Sequence, residues 1–405
     1  MTKPNLNWTL KQTVEFNPIL KDVLKNIGFD QVDNQQLLDT LGATITLSQA
    51  AATKDIDAQA LIKQIHDSLI SSGDVTLGDN ASSDNAELFI AGLLPCPVRV
   101  PLMESFENYA SNSKTPLKYV LKAASEGAAW VEEHLQDFNN IDSIPDIFIS
   151  AGFELYFDKT KMGKLKADGV FKDLSPFKQN CINKDFDKIN LVDPDGHYSM
   201  IATVPAVFLV NTNELHDEPL PKTWEDILHP RFAGRVSLPV SDFDLFNAII
   251  LTIQKRFGDK GVKDLGRSMA TAMHPAEMVK GAKGKGATKR PTVTIMPYFF
   301  TKMAKGNGPM QAVWPEDGAI ISPIFMLAKA SKAQKLQPII DLFSSLETAE
   351  ILAHKGLFPS LHPNIDNKLN QNAPWQWLGW DYIKKTDLTY EIQRCLKIFE
   401  EAQCV

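Results

Sequence analysis

The sequence predicts an α/β protein built on a largely parallel sheet and preceded by a small all-α unit. From residue 86 onward, strand and helix patterns alternate: AELFIAGLL before PLMESFENYASN, then PDIFISAGF running into a Gly turn. Residues 16–70 carry apolar faces at helical spacing instead. Between the two lies SSGDVTLGDNASSDN, residues 71–85, a small, polar, Gly-containing linker with little to bury.

In the helical unit, Asn17 caps a predicted helix with Pro18 at its first position. Leu20, Val23, Leu24 and Ile27 share its apolar face, and Gly28 ends it. Thr46 and Gln49 have the spacing of a capping box before LSQAAATK. Asp57 starts a third helix, with Leu61, Ile62, Ile65 and Leu69 inward. A unit this small has a marginal core and leans on the rest of the chain or on a partner.

In the larger unit, LKYVLKAASEGAAWVEEHLQDF reads as a long amphipathic helix. HYSMIATVPAVFLVNTNELHDEPLPKTWEDILHPRFAG, residues 197–234, reads as a buried strand, a Pro-marked connection and a short amphipathic helix. RVSLPVSDFDLFNAIILTIQKRFG is a strand, an acidic turn and a helix, and PTVTIMPYFFTKM repeats that pattern. AVWPEDGAIISPIFMLAKAS is a strand pair around an Asp317-Gly318 turn, and the remainder is mostly helical.

With 405 residues and a formal charge of −7, the chain lacks the basic face that displaces counterions, so no nucleic-acid partner is expected. No apolar run is long enough to span a bilayer. The first residues, MTKPNLNWTLKQTVEFNPIL, contain no continuous apolar segment, small-residue cleavage site or lipid-attachment Cys, which points to a cytoplasmic address. The cysteines, Cys96, Cys181, Cys395 and Cys404, have no metal-type spacing and read as idle thiols. The stretch from residue 280 to 290, KGAKGKGATKR, is a basic loop without the order of a nucleotide P-loop.

Three segments carry a family resemblance. PKTWEDILHPRFAGRVSLP is similar to a "P-x-TW-x-DL…P…G" signature, VWPEDGAIISPIFMLAK to a "P-x-DG" strand pair, and GLFPS to a recurring "G…P" segment. In this order they resemble the type 2 periplasmic solute-binding proteins, the ABC transporter substrate-binding family of ferric-ion, thiamine and polyamine type. The resemblance implies a two-lobed fold with a hinge over residues 86–405. Lobe 1 is then about 86–204 and 312–405, lobe 2 about 205–311, the linker 73–85 and the helical domain 1–72. That N-terminal domain resembles a small domain at the front of iron-sulfur repair proteins. Relatives often carry cysteines there and this copy has none, so what remains is a docking or oligomerisation module for a protein partner.

The resemblance implies non-catalytic binding of a small molecule or metal complex by hinge closure, in ABC-type import or in an intracellular carrier or sensor. In such a fold the ligand lies at the C-terminal ends of strands and the N-termini of helices, where backbone N–H groups are free. Applied to this sequence, lobe 1 offers Pro95 and Cys96, then Ser150, Gly152 and Phe153, then His197, Tyr198 and Ser199. Lobe 2 offers Ser241, Asp242 and Asp244, and Tyr298 and Phe299. The two aspartates serve either as a helix cap or as partners of a cationic ligand group. Tyr298, Phe299 and Phe300 serve as core or as a ligand wall. Ferric relatives place consecutive tyrosines where this chain has Phe299 and Phe300, so a ferric site here would pair Tyr198 with Tyr298. An enzyme using Cys96 or a cleft metal is the rival class. No cofactor is specified.

Overall fold

A computed structural model describes residues 4–17, 20–26, 29, 32, 34–40, 42–54, 56–58, 61–62, 65, 86–123, 140–153, 155–240, 243–272, 291–302, 308–370 and 373–403. The N-terminal unit has its own apolar cluster, including Leu20, Val23, Leu24, Leu47, Leu61 and Ile65. The helix Leu47–Thr53 starts at the expected capping box: the Gln49 N–H donates to Thr46 Oγ1 at 3.3 Å, and the Thr46 N–H to Gln49 Oε1 at 3.0 Å. Ahead of the expected helices stands another, Leu10–Phe16, with the same kind of box between Thr9 and Gln12. Pro18, Ile27, Gly28 and Leu69 lie outside the described residues.

The larger unit is a mixed sheet of ten strands: β1 (Leu88–Leu94), β2 (Leu117–Ala123), β3 (Ile147–Ala151), β4 (Tyr198–Asn211), β5 (Val236–Leu238), β6 (Met269–Ala272), β7 (Val293–Pro297), β8 (Met310–Val313), β9 (Ala319–Ala328) and β10 (Trp375–Gln376). Their spatial order is β2-β1-β3-β9-β4-β7-β5-β6, with β10 on β9 and β8 on β4. Helices Cys96–Asn112 and Phe243–Ser268 follow β1 and β5, as parallel pairing requires.

Two long strands make this one sheet into two lobes. All fourteen residues of β4 are buried. Its first half pairs antiparallel with β9 beside β3, and its second half pairs with β7 and β8. Pro205 of β4 and Pro323 of β9 sit where the strands pass between lobes (Thr203 opposite Pro323, Pro205 opposite Ile321). Each proline lacks the N–H that a ladder bond needs.

Two expected elements differ. Residues 117–123 form strand β2, parallel to β1 from Leu88–Leu117 to Leu94–Ala123, and not the start of a helix. Leu117, Val120 and Leu121 fit a helical stripe equally well, and the open edge of β1 decides. β8 and β9 do not form a hairpin; both run antiparallel along the same edge of β4. The turn between them supports another element. Asp317 accepts from the Trp224 backbone N–H at 3.2 Å, and Gly318 O accepts from Trp224 Nε1 at 2.9 Å. Thr223 and Asp226 cap the helix Trp224–Leu228 from the other side.

The C-terminal end returns to lobe 2. Helix Leu388–Gln403 packs on Phe243–Ser268, with Phe399 edge-on to Phe246 at 5.2 Å and Arg394 paired to Asp259 at 2.8 Å. Its Thr389 hydroxyl also donates to Asp158 of lobe 1 at 3.2 Å, so the helix leans on both lobes.

Candidate functional site

β1 and β3 are parallel, so their C-terminal ends open on the same side of lobe 1. β5 and β7 are parallel in lobe 2. β7 ends at Pro297, opposite Ala206 near the crossing, so the lobe-2 ends face back toward lobe 1. Between them lies a small recess. Leu93, Phe148, Ser150, Ala151, Gly152, Leu155, Tyr156 and Phe325 line it from lobe 1, and Asp244 from lobe 2.

The lobes touch at Gly152. Its φ is +91°, and a Cβ there would fall 2.8 Å from Asp244 Oδ1 and 3.0 Å from Asp244 Cα. Only glycine combines that backbone with that approach. The Gly152 N–H donates to Pro323 O at 3.0 Å, which ties the contact point to the hinge strand. Asp244 stands in the first turn of Phe243–Ser268, a helix whose run is interrupted at Gly258 with φ +63°. A carboxylate is favoured there by the helix dipole.

The recess is mostly apolar with a few polar groups. The Ser150 hydroxyl donates to Ala151 O at 3.2 Å. Tyr156 is 2% exposed, and among the described residues its buried hydroxyl has no hydrogen-bond partner. Burial pushes this phenol well above its ordinary value, so it stays protonated. Its ring lies 3.9 Å from that of Phe148, centroid to centroid. Tyr156 was not among the expected site residues. Its only sequence signal was a lone tyrosine four places after the Gly turn.

Of the expected residues, Ser150, Gly152 and Asp244 come together at the recess. Pro95 follows β1 at the N-cap of the next helix, which Cys96 begins, its side chain outside the described residues. Ser241 and Asp242 also lie outside them. Tyr298 and Phe299 follow β7 at its cleft-facing end. Tyr298 packs edge-on to Trp314 at 5.4 Å and Phe299 to Phe300 at 5.3 Å, and neither lines the recess.

Four further expected positions pack elsewhere. Phe153 is core: 1% exposed, stacked on Trp377 at 5.8 Å and edge-on to Phe157 at 5.3 Å. His197, Tyr198 and Ser199 are not among the residues that line the recess. Tyr198 and Phe148 are both opposite Leu327, whereas the end of β3, Ala151, is level with Ala202 through Ile324. Two lobe-1 carboxylates hold these residues down. The His197 and Tyr198 N–H groups donate to Asp193 at 2.8 and 3.2 Å, and the Ser199 hydroxyl donates to Asp173. The Tyr198 hydroxyl donates to Tyr156 O at 2.6 Å and accepts from Lys166 Nζ at 3.3 Å, while its ring stacks on Phe157 at 4.6 Å. Burial, with the nearby Asp193 charge, raises this phenol. Of the expected Tyr198–Tyr298 ferric pair, the first hydroxyl is thus hydrogen-bonded inside lobe 1 and the second ring rests on Trp314. Among the described residues, no group of three or more His, Cys, Asp or Glu converges as a metal site.

Residues 142–386, well over half the chain, match the family profile described as bacterial extracellular solute-binding protein. The chain belongs to that family. Binding of small solutes, not catalysis, is the family's work. Residues 5–62 of this solute-binding protein match a domain of unknown function (DUF1858). Among curated proteins, none matches. Solved structures similar to it include a ferric binding protein from Campylobacter jejuni, at 17% identity, TM-score 0.53, covering 78% of this chain and 99% of that one. AfuA from Actinobacillus pleuropneumoniae, with exogenous fructose-6-phosphate bound, is similar at 16% identity and TM-score 0.55, covering 80% and 100%. Iron-bound HitA from Pseudomonas aeruginosa is similar at 14% identity and TM-score 0.54, covering 78% and 98%. At these identities the likeness shows the fold, a two-lobed periplasmic-binding-protein architecture. Among the described residues of this solute-binding protein, no helix is long and apolar enough to cross a membrane.

Proposed function

We propose that this protein clamps a small ligand between its lobes, in the recess where Gly152 meets Asp244. That contact carries the reading. It joins the C-terminal end of a lobe-1 strand to the first turn of a lobe-2 helix, and the recess beside it takes side chains from both lobes. The ligand stabilises the closed state by its differential affinity, contacting Ser150 and Tyr156 first and Asp244 on closure. Pro205 and Pro323 mark the bending zone.

In this reading residues 1–72 are a docking domain for a protein partner, 73–85 a tether and 86–405 the clamp. Its own apolar cluster supports treating the first unit as separate. Import through an ABC-type permease and an intracellular carrier or sensor are both compatible with such a clamp. The family's extracellular description favours the first, and fractionation of cells expressing the native gene decides between them. Iron and fructose-6-phosphate, named for the similar structures, are the first ligands to try.

Native mass spectrometry of freshly purified protein, with metal analysis and small-angle X-ray scattering in parallel, tests the clamp. A stoichiometric bound mass and a smaller radius with ligand are expected. An unchanged scattering profile with every ligand tried would sink the reading.

A further inference from the structure

The polar groups of the recess restrict the chemistry of what it holds. Ser150 spends its proton on Ala151 O, so its oxygen faces a ligand as an acceptor. The Asp244 carboxylate only accepts. The Tyr156 hydroxyl has one proton to give and no acceptor among the described residues, in a site where a buried unmet donor is costly. A carboxylate offers acceptors alone, and a phosphate, though it can keep a proton to give, brings further negative charge against the Asp244 carboxylate. An ammonium offers donors alone and leaves the Tyr156 proton unmet. A hydroxyl group both accepts and donates, and the flat apolar walls of Phe148 and Phe325 suit the C–H surface that accompanies it.

We propose that the recess takes the hydroxyl-bearing end of a small neutral polyol, its hydroxyl accepting from Tyr156 and donating to Asp244. This rests on the clamp reading above. Isothermal titration of the full chain with erythritol and D-glucose, beside n-butylammonium and inorganic phosphate, is expected to give binding to a polyol alone. Tyr156→Phe and Asp244→Asn each weaken it about ten-fold. Because the Tyr156 hydroxyl has no partner among the described residues, Tyr156→Phe does not lower the thermal midpoint. A lowered midpoint with unaltered affinity makes the hydroxyl structural and overturns the proposal, as does tighter binding of butylammonium or phosphate than of either polyol. In those cases the clamp itself stands if scattering shows the chain contracting with the species that binds. Absence of binding, contraction and any co-purified mass overturns the clamp and the polyol assignment together.

Discussion

Gly152 and Asp244 meet across the lobes so closely that a Cβ on the glycine would lie 2.8 Å from the aspartate's Oδ1 and 3.0 Å from its Cα. Backbone cannot retreat as a flexible side chain does, so Gly152→Val acts as a wedge. The left-handed backbone adds about 1–2 kcal/mol of local strain for a residue with a Cβ. We expect the valine variant to fold, to scatter as a more open particle, and to bind ligand at least about ten-fold more weakly. Wild-type affinity and dimensions would mean that this contact has no part in closure.

Trp224 joins two of the sequence segments that marked the family. It is fully buried and edge-on to Phe208 at 4.9 Å, and its Nε1 donates to Gly318 O at 2.9 Å. Trp224→Ala is expected to cost about 3–5 kcal/mol in urea unfolding. Trp224→Phe keeps most of the packing but leaves the carbonyl unmet, so a loss of about 1–3 kcal/mol is expected. Equal losses for the two variants would show that the hydrogen bond contributes nothing.

That pairing also explains what was legible in the sequence. Strand β4, the Trp224 helix and the Asp317-Gly318 turn are marked by residues whose chemistry is local: a long apolar run, a capping box, a Gly at positive φ. β2 was misread because its stripe satisfies two periods and only a neighbouring strand edge chooses between them. At the site, Ser150, Gly152 and Asp244 followed from being at strand and helix ends. The place of Tyr198 is less legible, because it depends on register with β9, which no single segment encodes. Tyr156 stayed hidden for a related reason: its role comes from the burial of one hydroxyl among aromatic rings.

His362 supplies a pH test. Burial lowers its imidazole below the ordinary 6.5, and its Nδ1 accepts from the Asn364 N–H at 3.2 Å, so the fold holds the neutral ring. A depressed value in the folded state means the unfolded chain binds the proton more readily. The stabilisation is complete above pH 6.5 and is lost as pH falls through the lowered value. Urea midpoints of wild type should therefore drop between pH 7.5 and about pH 5 by more than those of His362→Gln. Parallel curves would show that the histidine is not linked to folding.

The last helix gives a test of how lobe 2 is held to the C-terminal end. A Cβ on Gly266 would lie 2.5 Å from Phe399 O and 3.1 Å from Ala402 Cβ, so Gly266→Ala must push Leu388–Gln403 outward. The cost expected is about 1–3 kcal/mol, against about 3–5 kcal/mol for Phe399→Ala, which removes a ring 1% exposed. Both changes loosen the same contact, so the double variant should lose less than the sum. The approach to this helix touches both lobes. Trp380 Nε1 donates to Leu191 O at 3.0 Å in lobe 1, and the Tyr382 hydroxyl donates to Gln254 of the lobe-2 helix at 3.1 Å. Loosening the helix should therefore also weaken closure, read as a larger radius in scattering with ligand present. Additive losses with an unchanged radius would mean that the C-terminal segment merely covers lobe 2.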